Sequence, residues 1–166
     1  MLIEQFRWLA GVIAAHQDRK VVGRTRLQKT IYLLQRKGLP TDFDYMLHFY
    51  GPYSRGLNMG LQLVKELGLV TEEVKAGSEN DYYIFEAQKD AVLPQIEPYQ
   101  PALHLIENVE DIPLELAATY DAFRQMGYGH TQAMERLRRK KGDKCTRENE
   151  EQALALLRQL KLPVDE

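Results

Sequence analysis

Histidine, cysteine and paired carboxylates are the side chains best able to act as bases, nucleophiles or metal ligands near neutral pH, and this chain uses them sparingly. Its four histidines stand far apart at positions 16, 48, 104 and 130, and Cys145 is the single cysteine. A lone cysteine makes no internal disulfide, and the scattered histidines give no paired zinc motif. The sequence has no Gly-Lys-Ser phosphate loop and no glycine-rich dinucleotide turn. His48 and His130 have polar neighbours, yet neither has a serine, cysteine or carboxylate at a spacing that builds a nucleophile and its base. Asp42 and Asp44 sit on a loop bounded by Pro40, where carboxylates are ordinarily solvated. Cys145 lies between Lys144 and Arg147 without a base. The expectation is a chain that is not an enzyme, with no catalytic residue, no metal ligand and no cofactor.

Recognition chemistry is better represented. In Tyr50-Gly51-Pro52-Tyr53 proline presets φ for a turn, glycine frees it, and two phenols offer large, stiff faces of the kind that anchor interfaces. The bland alternative packs one or both rings on the preceding helix. The net charge of −2 conceals a partition: residues 1–70 carry +5, residues 71–115 carry −9, residues 116–147 carry +5 and the remainder −3. Such asymmetry governs which partners are attracted and says little about fold.

The elements that must position these residues follow from periodicity. Leu2, Phe6, Leu9 and Ile13, with Ile3 and Val12, predict an opening amphipathic helix ending near His16. A second helix runs from Thr25 to a stop at Gly38, with Leu27, Ile31 and Leu34 inward and Lys29, Tyr32 and Arg36 on an exposed basic face. Residues 45–50 alternate as a short extended segment. Ser54 suits an N-cap for a third helix whose apolar face holds Leu57, Leu61 and Val64, closed by Gly68. Residues 69–74 and 82–86 read as a β-hairpin around Gly77 and Asn80. Beyond Pro94, Pro98 and Pro101, helices are expected over 102–109, 114–126, 130–141 and 146–160. The fold class is mainly α with a small β-hairpin. It comprises a winged helix-turn-helix-like N-terminal domain over 1–88, a Pro-rich joint over 89–101 and a helical extension over 102–166.

GRTRLQKTIYLLQ from Gly23 to Gln35, HFYGPYSRGL from His48 to Leu57 and LVKELGLV from Leu63 to Val70 occur in that order. Together, over roughly residues 1–86, they resemble the family of bacterial proteins that includes YwgA and the SocA-like Panacea-domain proteins. The resemblance implies a non-catalytic domain, an antitoxin or an adaptor that presents a toxin to a protease, within a bacterial toxin-antitoxin or phage-defence system. The C-terminal half matches no recognised pattern.

Two functional classes compete. The first is a protein-binding module contacting a toxin or defence component through Arg26, Lys29, Arg36, Tyr50, Tyr53, Ser54 and Arg55. The second is a DNA-binding transcriptional regulator, for which Arg24, Lys37, Arg138, Arg139, Lys140 and Lys141 add cations. A duplex is held mainly by Lys and Arg on phosphates. The third helix offers only Arg55 and Lys65, and the hairpin carries Glu72, Glu73, Glu79 and Asp81 against Lys75. That balance favours protein over DNA. No apolar run approaches the length of a membrane span, and the N-terminal stretch lacks the order of a secretory signal, so a cytoplasmic chain is expected.

Overall fold

The computed structural model describes residues 2–165. The side chains of Leu2 and Ile3, part of the expected first stripe, lie outside what it describes. That stripe forms α1, Leu2–Ala14, with Leu9, Val12 and Ile13 fully buried. A 3-10 turn then leads into β1, Lys20–Val22, and on to α2, Arg24–Arg36. Two three-residue strands follow, β2, Met46–His48, and β3, Gly51–Tyr53. Next come α3, Arg55–Glu66, β4, Val70–Lys75, and β5, Tyr82–Ala87. The remainder holds α4, Gln100–Glu107, α5, Asp111–Gln125, α6, His130–Lys141, and α7, Arg147–Gln159. The mainly helical structure is what the periodicities predict, and the expected β4–β5 hairpin is joined by β1 and by a second small antiparallel sheet.

Ser54 caps α3 as expected, its side chain accepting the Leu57 N–H. This satisfies one of the free N–H groups of the first turn. Gly60 allows α3 to approach α1 closely, because a Cβ there would lie 2.6 Å from the Phe6 ring. The larger sheet has the order β1-β5-β4, all antiparallel, with Val21 opposite Phe85 and Glu72 opposite Phe85 from the other side. The strand β1 is not predicted from the sequence: three residues are too few to display a period of two. The single extended segment expected at 45–50 is instead one arm of a tight second hairpin, β2 against β3, with His48 opposite Gly51.

The helices after residue 100 continue the N-terminal core. One cluster of buried apolar residues runs from Leu9 through Leu27, Leu57 and Phe85 to Leu116, Leu137 and Leu157. At its centre is α5, buried from Leu114 to Asp121 and packed against α2, α6, α7 and β3. The Pro-rich stretch also packs inward, with Leu93 and Ile96 buried and Leu93 lying against Gly11 of α1. Among the described residues, no helix is long and apolar enough to cross a membrane.

This packing corrects one expectation. The α2 face bearing Lys29, Tyr32 and Arg36 is not an exposed basic surface, because α5 and the β2–β3 hairpin cover it. Lys29 and Tyr32 are buried and Arg36 is half-buried.

Candidate functional site

The β2–β3 hairpin is held from beneath by polar side chains of α2 and α6. Gln28 makes a reciprocal pair with the Ser54 backbone: Nε2 donates to its carbonyl and Oε1 accepts its N–H, both at 2.9 Å. One residue on, Lys29 Nζ donates to the Pro52 carbonyl at 2.8 Å. On the other flank of the turn, Lys141 Nζ donates to the Phe49 carbonyl at 3.1 Å. Gly51 adopts φ +99°, and a Cβ there would collide with Thr119 Oγ1 of α5. The Leu-Gln-Lys and Tyr-Gly-Pro-Tyr-Ser strings, distant in sequence, are therefore two halves of one hydrogen-bonded joint.

The joint presents its tip to solvent. Phe49 is 82% exposed and Tyr50 55%, and Met46, opposite Tyr53 at the far end of the hairpin, is also exposed. His48 lies 5.4 Å, centroid to centroid, from both the Phe49 and Tyr53 rings. Tyr53 itself is half-buried and Ser54 fully buried, so Ser54 caps a helix and offers a partner nothing. Arg55, directly after it, is exposed and makes no ion pair among the described residues.

Under the turn, three ammonium groups gather near one carboxylate. Glu115 Oε2 receives Lys144 at 2.9 Å and Lys141 at 3.4 Å, and Lys144 Nζ also lies 5.5 Å from the centre of the Tyr50 ring. Burial pushes the Lys29 ammonium down to about 7, helped by the like charge of Lys141 and opposed by Glu115. Burial likewise lowers Lys141, which Glu115 partly offsets.

A pH effect on stability follows. The unfolded chain holds the Lys29 proton to about its ordinary value of 10.5, whereas the folded chain releases it near 7. Folding stability therefore rises with pH in this window, by about 2–3 kcal/mol between pH 7 and 9. Urea denaturation of Lys29→Met should lack that rise. Parallel pH profiles for the two chains would show the ammonium to be in contact with water.

The remaining predicted site residues disperse. Arg26 binds the end of α4, with Nη2 donating to the carbonyls of Ile106 at 2.9 Å and Val109 at 2.6 Å, and Nη1 pairing with Asp111 at 2.8 Å. That is a C-terminal cap, built across the fold. Arg36 pairs at 2.7 Å with the buried Asp121, which also accepts the Tyr32 hydroxyl. Arg24 stacks 3.8 Å over the Tyr83 ring and pairs with Glu72, which Lys65 also contacts. Burial alone would raise Glu72, but these two cations hold it below the usual carboxylate range.

Of the second basic cluster, Arg138 forms a two-pronged pair with Glu150 at 2.9 Å, and Lys141 is buried. Lys141 is therefore corrected from a candidate phosphate contact to a buried anchor. Lys37, Arg139 and Lys140 stay exposed. His130 meets the Tyr120 hydroxyl at 2.8 Å and lies 3.8 Å from Asp165, while burial pushes the Cys145 thiol up. No group of three His, Cys, Asp or Glu placed to hold a metal ion occurs among the described residues.

Gln28, Glu115, Thr119 and Asp121 are site residues that sequence reasoning missed. Their signal is weak: each is a polar residue within an apolar helical pattern, which gives no hint of its partner.

Two clefts flank the hairpin. One of about 320 Å³ lies between α2, the hairpin and α3; the other, about 480 Å³, opens toward β5 and α5. Both are bordered by Arg24, Thr25, Lys29 and Tyr50.

No family model matches the chain. Over 60 residues it is 38% identical to the uncharacterized protein YwgA of Bacillus subtilis (strain 168), covering 35% of this chain and 36% of that protein. The chain thus spans about a third of the length of the curated relative it matches, which supports a YwgA-like relationship.

Proposed function

We propose that this chain is a non-catalytic protein-binding module whose docking element is the β2–β3 hairpin, with Phe49, Tyr50 and the neighbouring Arg55 as contacts. The observation that carries this reading is a large aromatic pair held in water on a turn whose backbone is fixed at Phe49, Pro52 and Ser54. Exposing such rings costs free energy in the unbound chain, and a rigid turn loses little entropy on docking. The order α1-β1-α2-α3-β4-β5, with the β2–β3 hairpin inserted between α2 and α3, and the sheet order β1-β5-β4 support a winged-helix-like N-terminal half. Within that frame the cations Arg24 and Lys65 are drawn onto Glu72 of β4, which leaves α3 and the β4–β5 hairpin poorly suited to phosphate. The resemblance to YwgA and the SocA-like Panacea proteins adds a partner class: a toxin, or a component of a bacterial defence system.

The test is capture from nuclease-treated native extract, followed by reconstitution with the purified partner. Phe49→Ala and Tyr50→Ala should each weaken that partner by about 30-fold or more, the effect of losing a central aromatic anchor, with an unchanged thermal transition. Binding to duplex DNA whose affinity falls steeply with salt, and which survives both substitutions, would instead support the transcriptional-regulator reading through Lys37, Arg55, Arg139 and Lys140.

A further inference from the structure

The cleft between α2, the hairpin and α3 has a character that polypeptide docking at the hairpin tip does not use. Its volume of about 320 Å³ falls in the range of small-molecule sites. It is lined by the apolar Leu57 and Leu61, by Tyr53 and His48, and by Lys29, which supplies charge, while Arg24 on its border is paired with Glu72. No carboxylate is among the described residues that line it. The neighbouring cleft, sharing Lys29 and Arg24, differs in that Asp81, Asp111 and Glu115 stand among its cations Arg24, Arg26, Lys29 and Lys144 and compete for them.

Charge around Lys29 is unbalanced. Lys29, Lys141 and Lys144 surround the single carboxylate of Glu115, and Glu72 is divided between Arg24 and Lys65. Lys29 is 2% exposed, and the hydrogen bond it makes among the described residues goes to the Pro52 carbonyl. Below about pH 7, where the folded chain keeps the Lys29 proton, this ammonium has three N–H donors and borders the cleft with donor capacity beyond its bond to Pro52. An anion entering there gains both the surplus positive charge and those donors, and an attached flat body covers the leucines and stacks on the tyrosine.

We propose that this cleft binds a small organic anion, a carboxylate or phosphate carried on a flat apolar body. The site belongs to the isolated chain, and Tyr50 on its border is shared with the hairpin contacts proposed above.

The experiment is a nitrogen-15 NMR titration of the purified protein at about pH 6, where Lys29 keeps its proton, with two matched pairs of probes: indole-3-acetate against indole-3-acetamide, and adenosine monophosphate against adenosine. The charged member of at least one pair should shift the amide signals of Thr25, Lys29, Tyr53 and Asn58 saturably, with half-saturation below about 1 mM. Its uncharged counterpart should bind at least about tenfold more weakly. Which pair responds distinguishes carboxylate from phosphate. Asn58→Trp, on the cleft wall and half-exposed, should block binding by bulk while leaving the fold intact, and Lys29→Met should weaken it by removing the charge. If Lys29→Met fails to fold, Asn58→Trp decides. No saturable shift with either charged probe, an equal response to the uncharged ones, or undiminished binding by folded Asn58→Trp would each overturn the site.

Discussion

Asp121→Ala should lower the free energy of unfolding by about 3–5 kcal/mol, the cost of breaking a buried charge pair from one side. The Asp121 side chain, at 0% exposure on α5, accepts hydrogen bonds from Arg36 Nε at 2.7 Å and the Tyr32 hydroxyl at 2.8 Å, both from α2. Burial, reinforced by the Asp121 charge, raises the Tyr32 phenol well above its ordinary range, so it remains a donor at every pH the fold survives. Without the carboxylate, the guanidinium must swing to water and the hydroxyl is left unpaired. Tyr32→Phe, which removes one donor and leaves the Arg36 pair, should cost only about 1 kcal/mol. Denaturant melts of both variants measure the contrast. A loss below about 1 kcal/mol in Asp121→Ala would mean that apolar packing alone seats α5 on α2.

Gly51→Ala should be nearly as costly, about 2–4 kcal/mol, from two additive sources. A φ of +99° strains any residue with a Cβ, and that Cβ would strike Thr119 Oγ1. Thr119 cannot rotate away freely, because its hydroxyl donates to the Glu115 carbonyl one turn earlier on α5. Thr119→Ala combined with Gly51→Ala should recover the steric part and leave the backbone strain, a partial rescue visible in the denaturation midpoint. Complete tolerance of Gly51→Ala would show that the hairpin does not sit against α5. Because this contact fixes the turn carrying Phe49 and Tyr50, the single variant should also weaken partner binding through misplacement of the rings.

Periodicity alone set the helices: Leu9, Val12 and Ile13 for α1, Leu57, Leu61 and Val64 for α3, and Leu156 and Leu157 for α7 all fall on the buried face that a period of 3.6 assigns them. Local chemistry likewise set the Ser54 cap and the β4–β5 turn, since both depend on residues within a few positions of each other. The sequence also identified Tyr50 as a ring on a tight turn. Tertiary structure decided which faces of those helices meet water. Lys29, Tyr32 and Arg36 read as a solvated stripe because a helix in isolation has a polar side, and only the docking of α5 and the hairpin turns that side inward. Partners such as Asp121 for Arg36, Asp111 for Arg26 and Glu115 for Lys144 lie from 29 to 85 positions away. A hydrogen bond is fixed by distance in space, and chain separation carries no trace of it until the core has closed.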